Sequence, residues 1–230
     1  DRSLNYVNKH LERVADPLLR QLIWQSLWNM VRDQQLSSTD YLPLTAAKIP
    51  TESDTELMET ILATVTATIA RYVPTAQREA QAHRFSEVAW NVLNQVPTGD
   101  RQIIWARTLI GIAITPPDLD RVIHLVDNDI SVSGLKIDQE MRWSITTRAI
   151  AHGVEGATER VSLELERDPS DRGERSRIRA EVAEPSEQVK ASAWDRIHGE
   201  GYGSLHLTAA AMGGFHWFVQ RDLLDQWVWE

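Results

Sequence analysis

Residues 17–33 read PLLRQLIWQSLWNMVRD, and this stretch decides the fold class of the 230-residue chain. Wound as a helix, its apolar side chains sweep more than half of the circumference and leave a narrow polar stripe at Gln21, Gln25 and Arg32. A helix with so little polar surface must be covered from several sides. The stretch therefore predicts a layered, all-α protein.

Elsewhere, segments with one apolar stripe alternate with segments that are apolar around most of their surface. Residues 52–72 and 75–96 carry one stripe each, whereas residues 101–113 and 138–152 are apolar on more than one side. This interleaving favours antiparallel helix pairs stacked in a HEAT/armadillo-like curved superhelix. An irregular helical bundle fits the same pattern, because no repeat of fixed period is present.

The chain is interpreted as one helical domain over residues 1–230. It is also interpreted as a fragment of a larger protein, because its first residues, DRSLNYVNKHLERV, show an amphipathic helix pattern without an initiator Met. The one candidate subdivision is the linker at residues 127–137, where Ile130 and Val132 alternate before the Ser133-Gly134 turn.

Composition narrows the range of partners. The 33 acidic residues outnumber the 24 basic ones, so the net charge of −9 repels nucleic acid and anionic membranes. No apolar run approaches the roughly 18 residues needed to span a membrane. The chain has no Cys, which excludes disulfides and thiol nucleophiles. We therefore expect no nucleic-acid partner, no membrane partner and a cytoplasmic location.

The sequence carries no recognisable catalytic motif. The seven His residues never occur three to five residues apart, so the zinc motif His-Glu-x-x-His is absent. The Gly-rich turn GEGYGS, residues 199–204, lacks the spacing of phosphate-binding loops. We expect neither a catalytic nor a metal-binding residue in this segment.

Seven of the nine Trp residues fall into two groups. Trp24, Trp28, Trp105 and Trp143 lie on apolar arcs, which is typical of core packing. By contrast, the C-terminal group is a candidate for an exposed contact surface; it comprises Trp217, Trp227 and Trp229.

Two blocks of the sequence share their order and spacing with a known family. The first is RQLIWQSLWNMVRDQQLSSTDYL, residues 20–42, with Trp24, Trp28, Arg32 and Asp33 as its matching positions. The second starts with GLKIDQEMRWSITTRAIAHG, residues 134–153, and matches at Arg142, Trp143, Asp168, Gly173, Pro185, Lys190 and Trp194. Together the blocks resemble the C-terminal domain of the bacterial zinc aminopeptidases of the M1 family, the aminopeptidase N group. The resemblance covers nearly the whole chain.

The resemblance implies a helical, HEAT-like domain that caps a catalytic domain on the same polypeptide and encloses a chamber for the peptide substrate. In the family, zinc is bound in the catalytic domain by His-Glu-x-x-His and a downstream Glu, and a Gly-x-Met-Glu-Asn segment holds the amino end of the substrate. Both motifs are missing from this sequence. The segment by itself is therefore expected to be non-catalytic and without a cofactor.

Arg142 and Arg148 are the candidates for the wall of that substrate chamber. Two other functions stay open on the residues alone. A stand-alone helical-repeat adaptor would bind peptide or protein segments in its groove. A self-contained helical enzyme would need converging titratable groups, which the sequence does not reveal.

Overall fold

The computed structural model describes residues 2–227 of the chain. Within that range the chain is 77% helical and contains no strand, which confirms the predicted all-α class. The α-helices, numbered in chain order, are α1 (Arg2–His10), α2 (Pro17–Arg32), α3 (Ser38–Lys48), α4 (Thr55–Arg71), α5 (Thr75–Gln95), α6 (Asp100–Ile112), α7 (Pro116–Asp127), α8 (Gln139–Ala151), α9 (Ala157–Arg167), α10 (Asp171–Val182), α11 (Glu187–His198), α12 (Leu205–Phe215) and α13 (Arg221–Leu224). Short 3-10 helices span Leu11–Arg13, Ile49–Thr51, Phe218–Gln220 and Asp225–Trp227.

Side-chain caps explain where several helices begin. The carboxylate of Asp16 accepts hydrogen bonds from the first amides of α2, and Asp54 and Asp138 do the same for α4 and α8. Ser hydroxyls cap the starts of α10 and α11 in the same way. These local hydrogen bonds satisfy amides that the helix itself leaves without an acceptor.

The chain divides into two compact units. The first unit comprises the described residues up to Asp118 together with Val132–Leu135, and the second comprises Leu119–Ser131 and the described residues from Lys136 onward. Two of the three boundaries fall within the predicted linker at 127–137, and the third lies inside α7. The assignment of residues 1–230 to a single domain stays a prediction.

In the first unit, α2 packs on α3 and α4, and α5 packs on α3, α4 and α6. Trp24, Tyr41 and Trp105 are among its buried side chains, and the ring of Trp24 meets that of Tyr41 edge-on at 6.4 Å. Trp28 packs against Tyr41 and Tyr72 at the margin of this core. The predicted core roles of Trp24 and Trp105 are confirmed.

In the second unit, α10 is central and contacts α8, α9, α11 and α12. The backbones of α10 and α12 approach each other closely, since a Cβ atom added to Gly214 would lie 2.2 Å from the carbonyl oxygen of Arg179. Trp143 is buried, as predicted, in a cluster with Ile150 and Val161. At the contact between α10 and α12, a side chain at position 214 would force the two helix backbones apart.

In both units, helices two apart in the chain contact each other. Examples are α2 with α4, α4 with α6, α8 with α10 and α10 with α12. This arrangement is typical of stacked antiparallel pairs. The continuous superhelix stays a prediction, as does its bundle alternative. No helix in the described part of the chain is long and apolar enough to cross a membrane.

Candidate functional site: an open apolar groove

The apolar surface of α2 is only partly covered. Trp24, Leu27 and Val31 are buried against the first unit. Three leucines in the first half of the helix remain exposed, with 62% of Leu18, 47% of Leu19 and 56% of Leu22 accessible. The expectation that this helix is covered from several sides is therefore wrong for its first half within the described residues. Helices α3 and α4 contact α2, and the exposed leucines lie on the opposite side of α2 from its buried residues.

The exposed side of α2 and the neighbouring α1 form an open apolar groove of about 310 Å³, which we call the α1–α2 groove. Its lining includes Leu4 and Val7 from α1 and Leu19, Leu22, Ile23 and Met30 from α2. The hydroxyl of Ser26, also in the lining, donates a hydrogen bond to the carbonyl oxygen of Leu22 in its own helix. The groove therefore offers apolar contact with little hydrogen-bonding capacity.

The wall of the groove is anchored by an ion pair at the start of α2. Arg20 donates from Nε and Nη2 to the two carboxylate oxygens of Glu52, at 2.9 Å each. Hydrogen bonding to Glu52 raises the pKa of Arg20, and Glu52 is buried. The same carboxylate accepts from the backbone amides of Ser53 and Asp54, while Arg101 donates to the carbonyl oxygen of Glu52. These bonds tie α2 to the start of α4 and to α6.

Arg142, the first chamber-wall candidate, is engaged within the second unit. Its Nε and Nη2 atoms donate to the carboxylate of Glu164 at 2.9 and 2.6 Å, and Nη1 donates to the carbonyl oxygen of Val126 at 3.1 Å. Burial raises the pKa of Glu164, but hydrogen bonds from Arg142 and Gln139 outweigh it, so that the pKa is lowered overall. Arg142 thus connects α8 to α9 and to the end of α7.

Arg148, the second candidate, is half-buried and lies with its guanidinium carbon 5.4 Å from the ring centre of Trp217. Burial lowers the pKa of Arg148 to about 10. The ring of His152, one turn further on, is 6.4 Å from Trp217, and burial together with the charge of Arg148 lowers the pKa of His152 to about 4. The two arginines thus have different partners, and their role in a chamber wall stays a prediction.

The residues that carry the family resemblance form structural contacts. Trp143 donates from Nε1 to the carboxylate of Asp168 at 3.0 Å, and a Cβ atom on Gly173 would lie 1.8 Å from the carbonyl oxygen of Asp168. Lys190 is fully buried, and its ammonium group donates to backbone carbonyls at the ends of α10 and α12. Trp194 packs its ring 5.6 Å from that of Phe215 at the end of α12. These side chains therefore hold helices together.

The candidate contact surface of C-terminal Trp residues is only partly exposed where the structure describes it. Trp217 packs against the cluster around Trp143, and Trp227 meets the ring of Phe215 edge-on at 5.7 Å. Both side chains are half-buried because helices of the second unit supply the neighbours that the sequence pattern did not identify. Trp229 lies outside the described residues.

One group of side chains has the spacing of metal ligands. His83 and Glu87 on α5 and Asp118 in the first turn of α7 each offer a ligand atom within 4.8 Å of the other two. His83 and Glu87 stand four residues apart in the sequence, the spacing of a ligand pair on one helix face, but no local pattern places Asp118 beside them. This set is not the family's His-Glu-x-x-His with a downstream Glu, so it does not fit the catalytic zinc of those enzymes.

Two comparisons with known proteins relate the chain to aminopeptidases. The chain matches the ERAP1-like C-terminal domain over residues 1–230. Over 225 residues it is 35% identical to an aminopeptidase N from Streptomyces lividans. This match covers 97% of the chain but 26% of that relative, so the chain spans about a quarter of the relative's length.

Proposed function

Because the chain belongs to the ERAP1-like C-terminal domain family, we propose that it is the non-catalytic helical domain of an aminopeptidase N that removes N-terminal residues from peptides. The observation that carries this proposal is 35% identity to an aminopeptidase N over nearly the whole chain. A zinc ion of the M1 type, held by another part of the same polypeptide, would polarise the peptide carbonyl and activate a water molecule.

The domain's role is to cap the catalytic domain and close the substrate chamber, which admits peptide ends and excludes folded proteins. The stacked-pair contacts within each unit support this role, because stacked helix pairs build concave surfaces. Arg142 and Arg148 remain the candidates for polar groups on the wall of that chamber. A cytoplasmic location belongs to the same proposal.

The α1–α2 groove is the contact through which the domain docks on the rest of the aminopeptidase polypeptide. Patches of exposed apolar side chains mark contact surfaces, and about three quarters of the related enzyme lies outside the matched region. The exposed fractions of Leu19 and Leu22 in the groove and of the preceding Leu18 together equal about one and two-thirds leucines. Covering them stabilises the docked state by roughly 2 to 5 kcal/mol.

The test uses the intact polypeptide and the substitution Leu22→Glu. Because Leu22 is more than half exposed in the isolated chain, the substitution should leave the chain's own unfolding temperature nearly unchanged. In the intact enzyme it should place a charge in a covered apolar contact, lower the unfolding temperature and increase cleavage by proteases between the domains. Leu163→Glu is the matched control, since Leu163 on α9 is 53% exposed and lies outside the groove.

Two results would overturn the proposal. If the isolated chain supplied with zinc hydrolysed aminoacyl anilides as fast as the intact enzyme, the non-catalytic assignment would fail. If Leu22→Glu and Leu163→Glu affected the intact enzyme equally, the groove would not be the docking contact. The alternative function, a stand-alone adaptor, predicts that the chain works without an attached catalytic domain and binds amphipathic peptides in the same groove.

A further inference from the structure

We propose that His83, Glu87 and Asp118 form a binding site for one divalent cation in the first unit, separate from the catalytic zinc of the family and suited to Zn²⁺. His83 and Glu87 are four residues apart on α5, so their side chains lie on the same face one turn apart. Asp118 approaches that face from the first turn of α7.

The distances suit a zinc site. His83 Nδ1 lies 3.1 Å from Oδ1 and 3.2 Å from Oδ2 of Asp118, and the ligand atoms of all three residues lie within 4.8 Å of one another. In a tetrahedral site with bonds of about 2.0 to 2.1 Å, ligand atoms are about 3.3 Å apart. Small rotations of the partly exposed His83 and Glu87 side chains would bring the third ligand to that separation.

Asp118 is already held in position for such a role. Its side chain is fully buried, and Oδ2 accepts a hydrogen bond from the hydroxyl of Thr115 at 2.6 Å. The backbone amide of Asp118 donates to the carbonyl oxygen of Thr115, so the first turn of α7 fixes the orientation of the carboxylate. Outer contacts of this kind orient metal ligands and strengthen binding. The partly exposed ring of His83 leaves a route for the ion from solvent.

The chemistry of the ligands selects the ion. An imidazole with two carboxylates suits Zn²⁺, whereas Mg²⁺ and Ca²⁺ prefer oxygen ligands alone. As metal ligands, a neutral imidazole and two carboxylates supply a charge of −2, which balances the charge of the ion. Three protein ligands leave a fourth position, which water would occupy.

A second histidine–aspartate pair on the same chain provides the matched control. His124 Nδ1 and Asp129 Oδ2 are 2.9 Å apart, a contact at least as short as that between His83 and Asp118. Both members of this pair are largely exposed, and among residues 2–227 no third ligand atom completes a set around them. A His–Asp contact without a third ligand should not retain the ion.

The experiment titrates the metal-free chain with ZnCl₂ in a calorimeter and, separately, with CoCl₂ while visible absorption is recorded. We expect one tight equivalent of Zn²⁺ per chain, visible Co²⁺ bands of a tetrahedral complex, and a rise in the unfolding temperature with Zn²⁺. His83→Ala and Glu87→Gln should each weaken Zn²⁺ binding at least tenfold and remove the Co²⁺ bands. His124→Ala should change none of these quantities.

Asp118 is left unchanged, since its buried carboxylate also accepts a hydrogen bond from Thr115 at the start of α7. Circular dichroism of each variant checks that the fold is retained. Zn²⁺ affinity that is equal in wild type, His83→Ala and Glu87→Gln would overturn the proposal. So would the absence of saturable binding at micromolar Zn²⁺. Neither result bears on the docking test above, because that test involves α1 and α2 and no metal.

Discussion

The close contact between α10 and α12 allows a sharp test of the packing, because substitutions at two adjacent glycines should change stability in opposite directions. Gly214 and Gly213 both lie in the last turn of α12, beside α10. A Cβ atom on Gly214 would lie 2.2 Å from the backbone carbonyl oxygen of Arg179, whereas one on Gly213 would lie 3.3 Å from the guanidinium group of Arg179. The first obstacle is backbone, and the second is the end of a flexible side chain.

The substitution Gly214→Ala therefore requires α10 and α12 to separate by about 1 Å, since a carbon and an oxygen not bonded to each other need roughly 3.2 Å or more. Overpacking of this kind costs about 3 kcal/mol, the upper part of the usual range. Replacing Gly by Ala in a helix recovers up to about 1 kcal/mol. We expect a net loss of about 2 kcal/mol for Gly214→Ala and a gain of roughly 0.5 kcal/mol for Gly213→Ala.

Urea unfolding of the isolated chain, followed by circular dichroism, measures both free energies. At roughly 4 °C per kcal/mol for a unit of this size, Gly214→Ala should lower the unfolding temperature by about 8 °C. Gly213→Ala should raise it by about 2 °C. If Gly214→Ala were as stable as wild type, the close contact between the two backbones would be wrong. If Gly213→Ala lost as much as Gly214→Ala, the difference between a backbone and a side-chain obstacle would be wrong.

Two further predictions concern buried ionisable side chains. Glu164→Gln should lower the free energy of unfolding by about 3 kcal/mol, because it leaves the guanidinium of Arg142 without its buried carboxylate. Urea unfolding measures this loss. The control is Glu166→Gln, at an exposed position on the same helix, which should change the free energy of unfolding little. The second prediction concerns His152, whose pKa in the folded chain is about 4 against 6.5 when unfolded. Between these two pKa values the unfolded chain binds a proton that the folded chain does not. The contribution of His152 to the free energy of unfolding is therefore present above pH 6.5 and is lost as the pH falls toward 4. The loss from pH 7 to pH 5 should be about 2 kcal/mol, and His152→Phe should remove that part of the pH dependence. A pH dependence unchanged in His152→Phe would contradict the assignment.

Much of the fold follows from local patterns in the sequence. The all-α class, the start of α2 at Asp16-Pro17 and the core positions of Trp24 and Trp105 depend on residues near each other in the chain. Caps and apolar periodicity act within one or two helical turns, so a single sequence displays them directly. The second family block, which contains Trp143, was also recognisable in the sequence, although its matching residues form packing contacts in the structure.

The α1–α2 groove and the group of His83, Glu87 and Asp118 depend on contacts that no local pattern encodes. The apolar pattern of residues 17–33 determined that they form a helix, but only the packing of α3 and α4 decided that Leu22 stays exposed while Leu27 is buried. Likewise, the spacing of His83 and Glu87 was present in the sequence, whereas Asp118 joins them only through the placement of α7. Helix formation is determined by neighbours along the chain, while burial and ligand geometry depend on neighbours in space. The sequence by itself therefore determined which segments are helices and which family they belong to, and the tertiary structure decided which apolar face remains exposed.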